Sequence, residues 1–115
     1  MLELYSKITI TIVLYQESLE TISKSLENLK SFKIIIIDNA NDLNLKNKVL
    51  SKFNVSKYIV NKKNLGFSKA TNQAIKLSNS EYVLNLQADC IILEKDILKL
   101  YEAINKYEDC IIVTP

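Results

Sequence analysis

The stretch KIIIIDNAND, residues 33–42, decides the fold class. Its four consecutive isoleucines form a run that is short for a helix and rich in β-branched side chains, which favour strands. Because the run does not alternate with polar residues, we expect helices to cover both faces of this strand, as in a parallel sheet. Asp38 and the polar residues after it then end the strand.

The segments on either side repeat the alternation of strand and helix. β-Branched runs predict further strands over residues 8–14, 56–60, 82–86 and 110–113. Apolar residues at steps of three and four predict a helix in each intervening segment, with Ser18 and Asp42 as caps and the last helix over residues 95–106. The sequence therefore predicts one α/β domain over residues 1–115, a Rossmann-like, open and mainly parallel sheet with helices on both faces.

Composition and charge exclude several functional classes. The chain has 115 residues, and its 15 basic residues, all lysines, nearly balance 13 acids to leave a net charge of +2. Without arginine forks or a basic stripe, no nucleic-acid partner is expected. The single glycine excludes the G-x-G-x-x-G fingerprint of a dinucleotide-binding domain. The apolar run near the N-terminus is too short to span a bilayer, which predicts a cytoplasmic protein without a transmembrane segment.

Cys90 and Cys110 are the two cysteines of the chain. They lack the paired spacing of a zinc site, and no second pair completes one. We interpret them as reduced thiols buried in the core rather than as a disulfide or metal ligands.

Polar residues follow four of the predicted strands at their carboxyl ends. They are residues 15–17, 38–42, 61–66 and 87–89. In an open parallel sheet these ends meet at one edge, and ligands bind in the crevice beyond them. The sequence thus predicts a binding site rich in carboxylates and amides at this edge.

Four segments at these strand ends resemble, in order and spacing, the family 2 glycosyltransferases of the GT-A fold. They are IVLYQES at 12–18, IIIIDNAND at 34–42, NKKNLGFSKATNQAI at 61–75 and YVLNLQADCII at 82–92. The subset with DNA(S/N) and NLGF, many of them rhamnosyltransferase-like, is the most similar. The resemblance covers residues 8–115 and implies the N-terminal, nucleotide-sugar-binding part of such an enzyme, without the half that binds acceptor.

The resemblance implies a nucleotide site. Its residues would be Tyr15, Glu17, Asp38, Asn64, Gly66, Asn72 and Gln87. Asp38 would accept a hydrogen bond from the imide N–H of uracil or thymine and so select a UDP- or dTDP-sugar; an aspartate that holds a turn or caps a helix is the alternative. Gly66 precedes a helix whose free N–H groups suit a phosphate, although an ordinary turn would use the same glycine. Thr71 departs from the arginine often found beside Asn72 in the family.

Asp89 falls where the family has its metal-binding triplet, written here as Gln87-Ala88-Asp89. Mg²⁺ and Mn²⁺ prefer hard oxygen ligands, so one aspartate can anchor a divalent ion together with the oxygens of the nucleotide diphosphate. The alternative is a solvated carboxylate at a strand end.

The family's reaction also needs a carboxylate base that deprotonates the acceptor hydroxyl as it attacks in line, with inversion. In the family this base lies well downstream of the metal triplet, so we assign no catalytic residue in this chain.

The resemblance implies an acceptor glycan or lipid-linked glycan in polysaccharide or glycoconjugate synthesis, at the inner face of the membrane. A truncated, non-catalytic nucleotide-binding or interaction module is the alternative. Both the enzyme part and the non-catalytic module would expose apolar surface at a sheet edge, which favours self-association.

Overall fold

The computed structural model describes residues 2–107 and 109–113. Helices and strands alternate along them. In chain order they are α1 (Leu2–Lys7), β1 (Ile8–Leu14), α2 (Leu19–Leu26), β2 (Lys33–Asp38), α3 (Leu43–Lys52), β3 (Lys57–Val60), α4 (Phe67–Leu77), β4 (Tyr82–Gln87) and α5 (Glu94–Lys106). The four strands from β1 to β4 begin and end within one residue of their predicted bounds.

The four strands form one parallel sheet in the order β3-β2-β1-β4. β1 lies in the interior, with Ile10 opposite Ile34 of β2 and Leu84 of β4. Parallel neighbours cannot be joined by a tight turn, so α2, α3 and α4 serve as the crossovers. The predicted α/β, Rossmann-like architecture is confirmed.

Successive isoleucines of β2 face opposite sides of the sheet and enter two different cores. Ile34 and Ile36 lie in the larger core, with apolar residues of α2, α3 and α5. Ile35 and Ile37 lie in a smaller core against two fully buried alanines of α4. The unbroken isoleucine run is thus explained by burial on both faces, and the small alanines let α4 approach the sheet closely.

The first two crossover helices begin at the residues predicted to cap them. The Ser18 hydroxyl oxygen accepts a hydrogen bond from the backbone N–H of Thr21 at 3.1 Å. Oδ1 of Asp42 accepts one from the backbone N–H of Leu45 at 2.9 Å. Each bond satisfies an N–H group that has no partner inside its own helix.

The prediction of a strand over residues 110–113 is wrong. These residues have no strand structure, and Ile111 and Ile112 are 86% and 77% exposed. A β-branched run forms a strand only where a neighbouring strand takes up its hydrogen bonds, and this segment pairs with no strand of the described residues. The sequence analysis also did not predict α1, in which Leu4 is buried in the larger core.

The prediction of buried cysteines is wrong as well. Both thiols are free, but Cys90 is exposed and Cys110 is only half-buried. Cys90 follows the turn after β4, between the exposed residues Asp89 and Ile91. Strand propensity and hydrophobicity could not reveal this, because burial of a thiol depends on which elements pack over it.

Tyr58 places a hydroxyl group inside the larger core. The residue is 5% exposed, and its hydroxyl oxygen has no hydrogen-bond partner among the described residues. Burial, and then the negative charges of Asp38 and Asp42, raise the pKa of Tyr58 above its ordinary value. The folded protein therefore holds the phenolic proton more tightly than the unfolded chain does.

Replacing Tyr58 by Phe tests this effect through the pH dependence of stability. Below about pH 10 the phenol is protonated in both states, and the variant should be at least as stable as the wild type, because it lacks a buried donor without a partner. As the pH rises further, the unfolded wild type loses the Tyr58 proton first, so the stability of the wild type falls more steeply than that of the variant. Urea unfolding between about pH 8 and pH 11 should show a widening gap. The exposed substitution Tyr107→Phe is the control, and a gap independent of pH would contradict the prediction.

Ile12→Ala should remove a large part of the stability of the sheet. Ile12 is fully buried in β1, and truncation of such a side chain costs about 2–5 kcal/mol in free energy of unfolding because a cavity remains. Ile75→Ala is the matched control on α4, where the side chain is 43% exposed and the expected change is about 0.5 kcal/mol or less. Chemical denaturation measures both, and similar losses in the two variants would be inconsistent with this core.

Candidate functional site

A cleft of about 400 Å³ opens beyond the carboxyl ends of β1, β2 and β4. We call it the strand-end cleft. It is lined by Val13, Tyr15, Glu17, Asn39, Asn64, Gly66, Phe67, Gln87, Ala88 and Asp89. Its position is the one expected for ligand binding in an open parallel sheet.

The strand-end cleft brings together six of the eight predicted site residues. They are Tyr15, Glu17, Asn64, Gly66, Gln87 and Asp89. The other two do not line it: Asp38 is fully buried beneath the turn after β2, and Asn72 is exposed on α4. Val13, Asn39, Phe67 and Ala88 line the cleft without having been named as site residues, although Asn39 and Ala88 lie in the predicted strand-end ranges 38–42 and 87–89. Asn39 directly follows Asp38, so its place at the strand end was a usable signal.

The first wall of the cleft follows β1. Tyr15 is 49% exposed, and Glu17 is half-buried just before the cap of α2. Between them Gln16 has a φ of 58°, in the left-handed region that residues other than glycine rarely adopt. Such strain often accompanies functional sites, and here it lies between two residues that line the cleft.

Asp38 holds the turn after β2. Its Oδ1 accepts a hydrogen bond from the backbone N–H of Ala40 at 2.8 Å, and its Oδ2 accepts one from that of Asp42 at 3.2 Å. With an exposure of 0%, the carboxylate is not open to the cleft. The geometry is that of a turn aspartate, and contact with a base would require the turn to open. Base recognition by Asp38 therefore stays a prediction.

Gly66 forms the second wall, at the start of α4. Its φ of 86° and ψ of 163° lie in a region that is nearly restricted to glycine. A Cβ atom there would meet nothing within 4 Å, so the glycine is required by the backbone conformation and not by space. The Gly66 N–H donates to Oδ1 of Asn64 at 2.8 Å, while no side chain of the described residues caps α4. The first N–H groups of α4 thus remain available near the cleft.

The third wall is the turn after β4. The backbone N–H of Cys90 donates to the carbonyl of Gln87 at 3.0 Å, and the buried Ser25 hydroxyl of α2 donates to the carbonyl of Ala88. These bonds fix the turn while the side chains of Gln87 and Asp89 stay exposed. The described residues contain no group of three or more Asp, Glu, Cys or His side chains placed to hold a metal ion. The cleft itself offers two carboxylates, Asp89 and Glu17.

These features define a Rossmann-like α/β domain. It has a parallel sheet, a cleft beyond the carboxyl ends of the strands, and a helix that begins after a glycine at that cleft. The chain belongs to a particular family of that class, because the family model described as Glycosyl transferase family 2 matches residues 9–115. No curated protein matches the chain by sequence.

Solved structures of S. aureus TarS share the fold. TarS 1–349 has a TM-score of 0.68 and 24% identity over 87% of this chain and 32% of that one. The same region in complex with UDP has a TM-score of 0.67 and 25% identity over 86% and 33% of the two chains. A further TarS structure gives 0.63 and 22% over 86% and 20%. The chain therefore spans a third or less of the length of these structures. None of its described helices is long and apolar enough to cross a membrane.

Gly66→Ala should destabilise the protein without any steric clash. Because alanine resists the φ and ψ of this position, we expect a loss of about 1–3 kcal/mol in the free energy of unfolding. Urea unfolding measures the loss. Ser68→Ala changes an exposed position in the first turn of α4 and should stay within about 0.5 kcal/mol of the wild type. Wild-type stability in Gly66→Ala would show that the loop before α4 can adopt another conformation.

Proposed function

We propose that this chain is the donor-binding part of a glycosyltransferase, which transfers a sugar from a nucleoside diphosphate to an acceptor hydroxyl with inversion. The observation that carries the proposal is the strand-end cleft, where six residues singled out from the sequence meet in a chain of glycosyl transferase family 2. The donor is a UDP- or dTDP-sugar. A UDP complex of TarS, a protein of similar fold, supports a nucleotide ligand of this kind.

Two exposed aromatic rings give the cleft its apolar contacts. Tyr15 and Phe67 are 49% and 53% exposed and lie on the walls formed by the ends of β1 and the start of α4. An aromatic ring can pack against a pyrimidine base or the sugar beside it, since both have an apolar face. We place the base near Tyr15, with the amide of Gln87 toward the ribose.

The start of α4 suits the diphosphate. Its N–H groups and the positive end of the helix dipole favour an anion, and Asn64 and Gly66 hold the chain at this end of the cleft. Position 71 is a threonine, so its side chain cannot provide the contact of the arginine often found there in the family.

Asp89, with Glu17 across the cleft, fits a divalent cation in part. Carboxylates are the hard ligands that Mg²⁺ and Mn²⁺ prefer, but two of them do not complete a coordination shell. The remaining ligands would come from diphosphate oxygens and water. When bound, the ion would stabilise the negative charge of the departing nucleoside diphosphate.

Among the described residues, the cleft contains no carboxylate beyond these two that could act as the base. After Asp89, Glu94 accepts a hydrogen bond from the Tyr5 hydroxyl at 2.9 Å, and Glu102 is exposed on α5, away from the cleft. We infer that the base and the acceptor groove, for a glycan or lipid-linked glycan, belong to residues outside this chain. The rhamnosyltransferase-like donor preference and the role in polysaccharide synthesis stay predictions.

A non-catalytic nucleotide-binding or interaction module is the second candidate, because the chain spans only about a third of the TarS region of similar fold. The outer edge of β4 pairs with no strand among the described residues. Beside it lies an apolar groove of about 320 Å³ formed with α5. Self-association through this edge likewise stays a prediction.

Calorimetric titration of the purified chain with UDP and dTDP, with and without Mn²⁺, tests the proposal. We expect both pyrimidine nucleotides to bind more tightly with Mn²⁺ and ADP to bind weakly or not at all. Asp89→Ala should abolish the gain from Mn²⁺, a loss of about tenfold or more in affinity, because it removes a ligand of the ion.

Glu102→Ala is the matched control, since it removes an exposed carboxylate outside the cleft. It should bind UDP like the wild type. Absence of UDP binding by a folded sample, or equal effects of the two substitutions, would count against the donor site as placed here.

A further inference from the structure

Three amide side chains join the ends of β2 and β3 to α4. The two hydrogens of Asn61 Nδ2 go to Oδ1 of Asn39 at 2.9 Å and to Oε1 of Gln73 at 3.0 Å. Gln73 Nε2 donates back to Oδ1 of Asn61 at 2.9 Å. We call these three residues the amide network. The sequence analysis assigned it no role.

The amide network ends on the loop that enters the strand-end cleft. Nδ2 of Asn39 donates to the backbone carbonyl of Gly66 at 3.1 Å, and its Oδ1 receives a long hydrogen bond from the N–H of Leu65 at 3.4 Å. The backbone adds further bonds, from the N–H of Asn39 to the carbonyl of Leu14 and from the N–H of Asn61 to the carbonyl of Asp38, both at 2.8 Å. The ends of β1, β2 and β3 are thus tied to one loop.

Burial makes this arrangement sensitive to any missing partner. Asn39 is 3% exposed and Asn61 is 9% exposed. Both polar groups of the Asn61 side chain have partners, and loss of one partner leaves a desolvated group unpaired. A buried network that is fully satisfied specifies one arrangement of the elements it joins, whereas apolar contacts would tolerate several.

We propose that the amide network is a positioning device for the nucleotide site, which holds Leu65 and Gly66 so that the start of α4 faces the cleft. Gln73 and Asn61 do not line the cleft and act through Asn39, which does. The identity of the ligand rests on the proposed function. The effect of the amide network on the order of Leu65 and Gly66 can be measured without any ligand.

Gln73→Met tests the proposal, because it keeps the length of the side chain and removes both hydrogen bonds to Asn61 without adding charge. The matched control is Thr9→Val, which removes the 2.6 Å hydrogen bond to Ser80 at the opposite, amino end of the sheet. Each variant loses side-chain hydrogen bonding in a partly buried place, Gln73 on α4 and Thr9 on β1. Binding is measured well below the unfolding midpoint, so that both variants are fully folded.

We expect Gln73→Met to bind UDP about tenfold more weakly than the wild type, since an unsatisfied Asn61 amide loosens the loop at a cost of about one hydrogen bond or more. Thr9→Val should bind like the wild type even where it lowers the unfolding midpoint by as much. In the absence of nucleotide, the backbone amides of Leu65 and Gly66 should exchange their hydrogens faster in Gln73→Met only, as measured by NMR.

Wild-type UDP affinity in Gln73→Met, or equal losses in the two variants, would overturn the positioning role. Unchanged exchange at Leu65 and Gly66 would overturn it too. If the wild type itself does not bind UDP, the proposed function fails, and the exchange comparison alone then decides whether the network holds the loop.

Discussion

The structure depends on the position of β1 between two parallel neighbours. A central parallel strand has its backbone hydrogen bonds on both edges and its side chains covered on both faces, so β1 contributes fully buried residues such as Ile10 and Ile12. Parallel pairing also requires every connection to cross over the sheet. As a result, the carboxyl ends of β1, β2 and β4 lie at the same edge, and the residues after them come together although they are far apart in sequence.

Polar groups at that edge are of two kinds. Some are buried and hold the backbone in place, and others face the solvent. Asp38, Asn39 and Asn61 are buried, and their side chains hold turns, the loop before α4 and one another. Tyr15 and Asp89 remain exposed on the rim. A binding site needs both kinds of group, because exposed side chains keep the geometry that a ligand requires only when the backbone beneath them is fixed. The strained backbone of Gln16 and the glycine conformation of Gly66 fall at the same edge.

The opposite situation holds at the outer edge of β4. Its backbone groups have no neighbouring strand among the described residues, and the apolar segment around Ile111 and Ile112 stays exposed beside it. A sheet edge with apolar surface is a place where further structure adds readily. The candidate donor site lies at the carboxyl ends of the strands, while this apolar edge lies along the side of the sheet. Such an edge agrees with the proposal that the base and the acceptor groove lie outside this chain.

Sequence periodicity by itself determined the α/β class, the four strands of the sheet and the caps at Ser18 and Asp42, because these depend on local propensity and on an apolar pattern with a clear period. Family motifs located most of the cleft. Only the tertiary structure decided that residues 110–113 do not form a strand, that the cysteines are not in the core, and that Asp38 faces its own turn while Asn39 lines the cleft. Each of these outcomes depends on which neighbour packs against or pairs with the residue. That neighbour is far away in the sequence and becomes adjacent only when the sheet forms, so no local sequence pattern can predict the contact.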